Sequence, residues 1–110
     1  MNKLAAPEFA RRAKDLDWII CDVDGVLTDS GLYYDRKGHA MMRFNVRDGQ
    51  GIRLAQSAGL KLGILSGRAS QALNKRAGEL EFDALISGSN DKGASFEGFL
   101  ERYSTSPRRV

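Results

Sequence analysis

Two aspartates, Asp22 and Asp24, stand two residues apart, directly after the apolar run Trp18-Ile19-Ile20-Cys21 and directly before Gly25. In extended backbone, side chains two apart leave the same face, and carboxylates held that close repel unless a cation lies between them. Hard oxygen donors of this kind suit Mg²⁺, which makes Asp22 and Asp24 the candidate metal ligands. A carboxylate beside such a cation can also attack phosphorus, splitting a hard displacement into two easier steps. Farther along, Ser66-Gly67-Arg68 follows the apolar stretch Leu62-Gly63-Ile64-Leu65. A hydroxyl and backbone N–H groups where a strand passes into a helix can hold a phosphate, and a serine at that place is equally a plain helix cap. Lys92 is a third landmark, in the loop that follows Ser87. His39, the only histidine, lacks a histidine or cysteine partner for a metal and reads as a surface residue.

These residues need elements that bring them together. An unbroken apolar run ending at a glycine turn predicts a parallel strand from Trp18 to Asp22, buried on both faces, with its ligands at the carboxyl edge. Ahead of it, Phe9, Ala10, Ala13 and Leu16 at helical spacing predict a short amphipathic helix over residues 7–16. Behind it, Leu32, Tyr33 and Tyr34, the turn Asp35-Arg36-Lys37-Gly38, then Met41, Met42, Phe44 and Val46 predict a hairpin. A helix over 50–58 follows, with Asp48 as its N-cap and Gly59 as its stop. A second strand over 61–65, a helix through Ala69, Leu73, Ala77 and Leu80, a third strand over 83–87 and a last helix carrying Phe96, Phe99, Leu100 and Tyr103 complete the pattern. Strands alternating with helices indicate an α/β sandwich of Rossmann type, with a parallel sheet and right-handed crossovers. The expected organisation is a single domain over 1–110, with three core strands and a hairpin insert at about 31–46.

Bulk properties narrow the function. Of the 110 residues, 42% are hydrophobic and 28% charged, ordinary for a globular protein, and the net charge is +3. The basic residues are spread in pairs along the chain, which suits an anionic small molecule better than a nucleic-acid track. A single cysteine, Cys21, excludes an internal disulfide and a multi-cysteine zinc site, and its apolar setting predicts a buried thiol. No apolar run has the length of a membrane span, and Pro7 and Glu8 interrupt any leader-like stretch, so the expected compartment is the cytoplasm.

The stretch from Asp22 to Asp29, DVDGVLTD, resembles the first motif, DxDGxxxD, of the haloacid dehalogenase (HAD) superfamily of aspartate-nucleophile phosphatases. The resemblance implies that Asp22 is the nucleophile and Asp24 the general acid and base. It implies that Ser66 holds a phosphoryl oxygen and that Lys92 holds the phosphate and the nucleophile's charge, a catalytic set of Asp22, Asp24, Ser66 and Lys92. Within the superfamily, the hairpin after the first motif and the segments NVRDGQGI, LSGRAS, NKRA and SNDKGAS resemble the 3-deoxy-D-manno-octulosonate 8-phosphate (KDO 8-phosphate) phosphatases. That family works without a large cap domain, as a tetramer that uses the hairpin in assembly, and serves lipopolysaccharide biosynthesis. It implies substrate contacts by Asp24, the segment Asn45, Val46, Arg47, Asp48 and Gly49, the arginines Arg53, Arg68 and Arg76, and Lys92. A ligand bearing both carboxylate and phosphate calls for several guanidinium forks and an ammonium. Asp48 thereby moves from helix cap toward substrate contact. Arg76, inside a helix, reaches either a pocket of a neighbouring subunit or water.

The superfamily's fourth motif, an acidic loop after a further strand, has no counterpart before Arg108-Arg109-Val110. The reading is therefore of a shortened chain in which Asp22 and Asp24 alone bind the cation weakly and turnover is slow or absent. The strand that would pair beside the first is also missing, which leaves an apolar sheet edge. Three alternatives stand beside the sugar-acid phosphatase. One is a related phosphatase for the nine-carbon sialic acid 9-phosphate, and another a non-catalytic module that assembles through the hairpin from Leu32 to Phe44. A phosphate-accepting receiver domain fits DVDGVLTD and Ser-Gly-Arg badly.

Overall fold

The computed structural model describes residues 6–110. Helix α1 (Ala6–Ala13) carries Glu8 in its first turn and Arg11 and Arg12 in its last, as the helix dipole favours, and Arg12 reaches Glu8 at 2.9 Å. It ends before Leu16, which the periodicity had included. The strands β1 (Trp18–Cys21), β4 (Lys61–Leu65) and β5 (Ala84–Ile86) form a parallel sheet in the order β1-β4-β5. Its register sets Cys21 opposite Ile64, and Leu65 opposite Ile86, so all three strands release their next residues at one edge.

The core lies in two layers because β4 alternates. Leu62 and Ile64 join Val23, Leu27, Ile52, Leu73, Ala77 and Leu80 on the face covered by α2 (Val46–Ser57) and α3 (Gln71–Glu79). Trp18, Ala84 and Phe99 form the other layer, beneath α4 (Lys92–Arg102). Gly63, between Leu62 and Ile64, faces the indole, and a Cβ there would make ordinary contact with Trp18 at 3.6 Å and Ile20 at 3.5 Å. Burial of the first strand on both faces does not hold throughout. Trp18 is 2% exposed but Ile19 is 37%, because β1 has no neighbour on its outer side among the described residues. The short 3₁₀ turn Pro107–Arg109 is moored beside the start of β1, where Asp17 N donates to the Arg109 carbonyl at 2.8 Å and the Arg109 guanidinium forks the Asp17 carboxylate. No helix among the described residues is long and apolar enough to cross a membrane.

Three helix starts differ from the sequence expectation, each for a capping reason. Asn45, not Asp48, caps α2, its side chain accepting from Arg47 N at 2.8 Å, and the helix starts at Val46 despite Gly49 and Gly51. Ser70 caps α3 by accepting from Leu73 N at 3.0 Å, so Ser66 is not a helix cap. Asp91 caps α4, which makes Lys92 its first residue and not part of the loop.

The hairpin pairs β2 (Tyr33–Tyr34) with β3 (Ala40–Met41), antiparallel, and Asp35 closes its turn by accepting from Lys37 N and His39 N at 2.8 Å each. His39 is exposed, as expected. At the base, Thr28 bridges Phe44, and Asp29 accepts from Gly31 N at 2.9 Å and the Tyr33 hydroxyl at 2.6 Å, with Arg43 at 3.6 Å. The Tyr33 hydroxyl, the Gly31 N–H and Arg43 hold the Asp29 carboxyl below its usual range. Because the folded pKa is depressed, this anchor is intact above the unfolded carboxyl's pKa of about 3.9 and is lost as pH falls through the lower folded value. Acid titration of the Tyr33 ring resonances should show a step below about pH 4 that Asp29→Asn removes, and a step surviving in the variant would dismiss the anchor.

Candidate active site

The fold delivers the chemistry-bearing residues to the carboxyl edge of the sheet. Asp22 follows β1 directly, and the chain then folds over fully buried Val23, whose carbonyl accepts from Val26, Leu27 and Thr28 N–H groups. Gly25 makes the turn at φ +76°, where a Cβ would also meet Ser30 Oγ at 2.8 Å. The loop thereby presents Asp22 and Asp24 outward, at 45% and 37% side-chain exposure. Lys92, brought from the start of α4, donates to Asp22 Oδ1 at 2.9 Å. Arg68, just beyond β4, forks Asp24 through Nε at 3.0 Å and Nη2 at 2.5 Å. Lys92, with the Val23 N–H, holds the Asp22 carboxyl below the ordinary range and keeps it ionised. Each acid meets one cation brought from elsewhere in the sequence to the same sheet edge, and the charge is balanced before any ligand arrives.

Ser66 ends β4 and is tied in from several sides. Its N–H donates to the Ile86 carbonyl at 2.8 Å, its carbonyl accepts from Ser89 N at 3.0 Å, and its hydroxyl accepts from Arg68 N at 3.2 Å. It is 1% exposed, so the hydroxyl lies beneath the loop of Gly67 and Arg68. Ser89, whose hydroxyl meets that of Ser95 at 2.6 Å, stitches the loops after β4 and β5 together. Its position between Ser87 and Asn90 carried no signal separating it from ordinary loop serines.

Any cation would depend on Asp22 and Asp24. Their oxygens are the hard donors Mg²⁺ takes, and that ion is commonly held by one or two carboxylates with phosphate and water completing its shell. Among the described residues no group of three or more acidic, histidine or cysteine side chains is gathered. The donor set fits Mg²⁺ in kind and supplies two carboxylates, each paired with a basic side chain.

Comparison with known proteins gives the site its context. No family model matches the chain. The KDO 8-phosphate phosphatase of Yersinia pestis is 34% identical over 105 residues, 96% of this chain and 56% of that protein. Its counterpart in Escherichia coli K12 is 34% identical over 99 residues, 90% of this chain and 53% of that one. The Yersinia crystal structure superposes with a TM-score of 0.84 at 35% identity, covering 91% of this chain and 54% of that one. The Moraxella catarrhalis enzyme, solved with magnesium, phosphate and KDO, gives 0.86 at 30% identity, covering 96% and 60%. The chain is a homologue of the KDO 8-phosphate phosphatases. It spans about half the length of the curated relatives it matches.

Against this family background, the remaining expected residues fall into two groups. Asn45 to Gly49 form the cap and first turn of α2, with Asp48 close enough to Cys21 for its charge, after burial, to raise the thiol's pKa. Cys21 is half-buried, not buried, because it lies on the edge strand. Arg53 and Arg76 make no hydrogen bond or ion pair with Asp22, Asp24, Ser66 or Lys92 among the described residues. Arg53 donates to the Glu79 carbonyl at 2.9 Å and lines a groove with Leu60 and Asp83, on the side of the sheet where β4 and β5 begin. Arg76 turns toward α2 and donates to the Asn45 carbonyl at 3.3 Å.

Proposed function

We propose that this chain carries the nucleophile-bearing part of a phosphomonoesterase of the HAD type, acting on KDO 8-phosphate. The observation that carries the reading is the pairing of Asp22 with Lys92 and of Asp24 with Arg68 at a single sheet edge. Once Arg68 has released it, Asp24 takes up a proton from solvent; the Asp22 carboxylate then attacks phosphorus while Asp24 gives that proton to the departing sugar oxygen, leaving an aspartyl-phosphate on Asp22. Asp24 then takes a proton from the water that attacks this acyl-phosphate, and phosphate departs with Asp22 restored. Lys92 holds the phosphoryl charge, and Arg68 exchanges Asp24 for substrate oxygens, the fork geometry suiting either. Ser66 and the N–H groups around Gly67 line the anion's seat, and the hydroxyl joins once the loop above it moves aside. Mg²⁺, held by Asp22 and Asp24 when bound, would offset the combined negative charge of carboxylate and phosphate.

Phosphate release from KDO 8-phosphate, assayed with Mg²⁺ and again after EDTA, tests the reading. We expect chelation to abolish release and added Mg²⁺ to restore it. Release indifferent to chelation would exclude the mechanism, and preference for the nine-carbon sialic acid 9-phosphate would move the substrate. We place the protein in the cytoplasm. The exposure of Leu32, Tyr34 and Met41 on the hairpin supports a homo-oligomer, with a tetramer expected by light scattering.

A further inference from the structure

Ser89 bonds to two different elements of the site. Its N–H donates to the Ser66 carbonyl at 3.0 Å, and its hydroxyl meets that of Ser95 at 2.6 Å. The first bond continues the sheet ladder, because the Ser66 N–H already donates to the Ile86 carbonyl at 2.8 Å. Residues 86–89 thus wrap the end of β4, with the chain turning at Gly88, φ +68°, and the Ser89 carbonyl 3.5 Å from where a Cβ on Gly67 would stand. The second bond goes to α4. Ser95 stands three residues, nearly one turn, beyond Lys92, so the two side chains leave neighbouring faces of the helix. Holding Ser95 therefore limits how far α4 can rotate about its axis, and with it where the Lys92 ammonium falls. Asp91 sets where the helix begins, accepting from Ala94 N at 3.1 Å, but that bond is local to the first turn. Phe96 and Phe99 seat the helix in the core, and the contact between Ser89 and Ser95 ties its first turn to the end of β4.

We infer that Ser89 is a positioning residue for the phosphoryl site, setting the spacing between Ser66 and Lys92 through its main chain on the one and through Ser95 on the other. The inference rests on the reading of Ser66 and Lys92 as groups that hold the phosphoryl oxygens. Lys92 meets Asp22 at 2.9 Å with both side chains about half exposed, a contact that solvent screening leaves too weak to orient a helix by itself. The serine pair is partly buried, where a hydrogen bond is firmer. An ammonium displaced from its place weakens the hold on phosphate without any change in the charge of the site.

The test compares Ser89→Ala, Ser95→Ala and the double variant, with Ser89→Thr as the conservative change that keeps a hydroxyl. Inorganic phosphate, titrated with excess Mg²⁺ and followed by calorimetry, should bind about fivefold to tenfold more weakly to each alanine variant, the scale of one lost hydrogen bond. The double variant should bind no more than about twofold worse than the poorer single one, since either substitution breaks the same contact. Ser89→Thr should bind within about twofold of the parent. The Lys92 ε-methylene resonance should move, in both alanine variants, toward its position in Asp22→Asn, where the partner charge is gone. A lower melting temperature with unchanged phosphate affinity and an unmoved Lys92 resonance would reduce the serine pair to loop packing and overturn the inference, as would multiplicative losses in the double variant. If the parent binds no phosphate, the reading of Ser66 and Lys92 fails by itself. The Lys92 resonance in the two alanine variants then still decides whether Ser89 positions that side chain.

Discussion

Asp22→Asn is expected to lower the rate of phosphate release by about 10³-fold or more, the scale on which losing a covalent nucleophile is felt. The amide has nearly the carboxylate's shape and can still accept from Lys92, so what is lost is the charge and nucleophilicity of one oxygen. Asp22 and Lys92 are about half exposed, at 45% and 48%, and their pairing contributes little to folding. The variant should accordingly unfold within about 0.5 kcal/mol of the parent, which circular dichroism under urea would check. Lys92 holds the Asp22 carboxyl below its ordinary range, so that carboxylate remains ionised through the neutral range. Retained turnover in a folded Asp22→Asn protein would remove the carboxylate from the reaction and with it the proposed mechanism.

Trp18→Ala should cost about 3–5 kcal/mol, the range for emptying an aromatic site in a packed core. Whole domains are stable by only about 5–15 kcal/mol, so the variant should be largely unfolded well below the parent's melting temperature. The indole is 2% exposed, meets Phe99 edge-on at 4.8 Å and Tyr103 at 4.9 Å, and Lys61 lies over its ring at 5.5 Å. Nothing nearby can close the gap cheaply, since the β4 residue whose Cα faces the indole, Gly63, has no side chain to move in. Trp18 is the sole tryptophan, so the comparison must use circular dichroism and not emission. A loss under about 1 kcal/mol would mean that the layer beneath α4 repacks freely, against the usual rigidity of interiors.

What was legible in the sequence is what local pattern determines. Lys61 to Leu65, an apolar run between a glycine-marked turn and a small polar residue, was delimited to the residue, and the strand, hairpin and helix order followed from similar punctuation. The meeting of Asp22 with Lys92 was anticipated through the family resemblance, whereas Asp24 and Arg68 were expected only as separate substrate contacts. Local pattern failed where two candidates compete for one cap. Asn45 prevails over Asp48 and Ser70 over Ser66, because the winning side chain is decided by which backbone N–H it can reach. Nor does spacing say which way a long side chain on a helix bends, as for Arg53 and Arg76, which reach the Glu79 and Asn45 carbonyls. The burial of Ser66 had no sequence signal, because the stitching by Ser89 joins loops from different crossovers.

The outward side of β1 has a practical consequence. Half the peptide groups of that strand have no sheet partner among the described residues, and half-exposed Ile19 stands beside them. Such a rim adds copies of itself with rising protein concentration, so purified material should lose colloidal stability on concentrating sooner than its modest net charge would suggest. A lysine at position 19 is the change that should extend its shelf life.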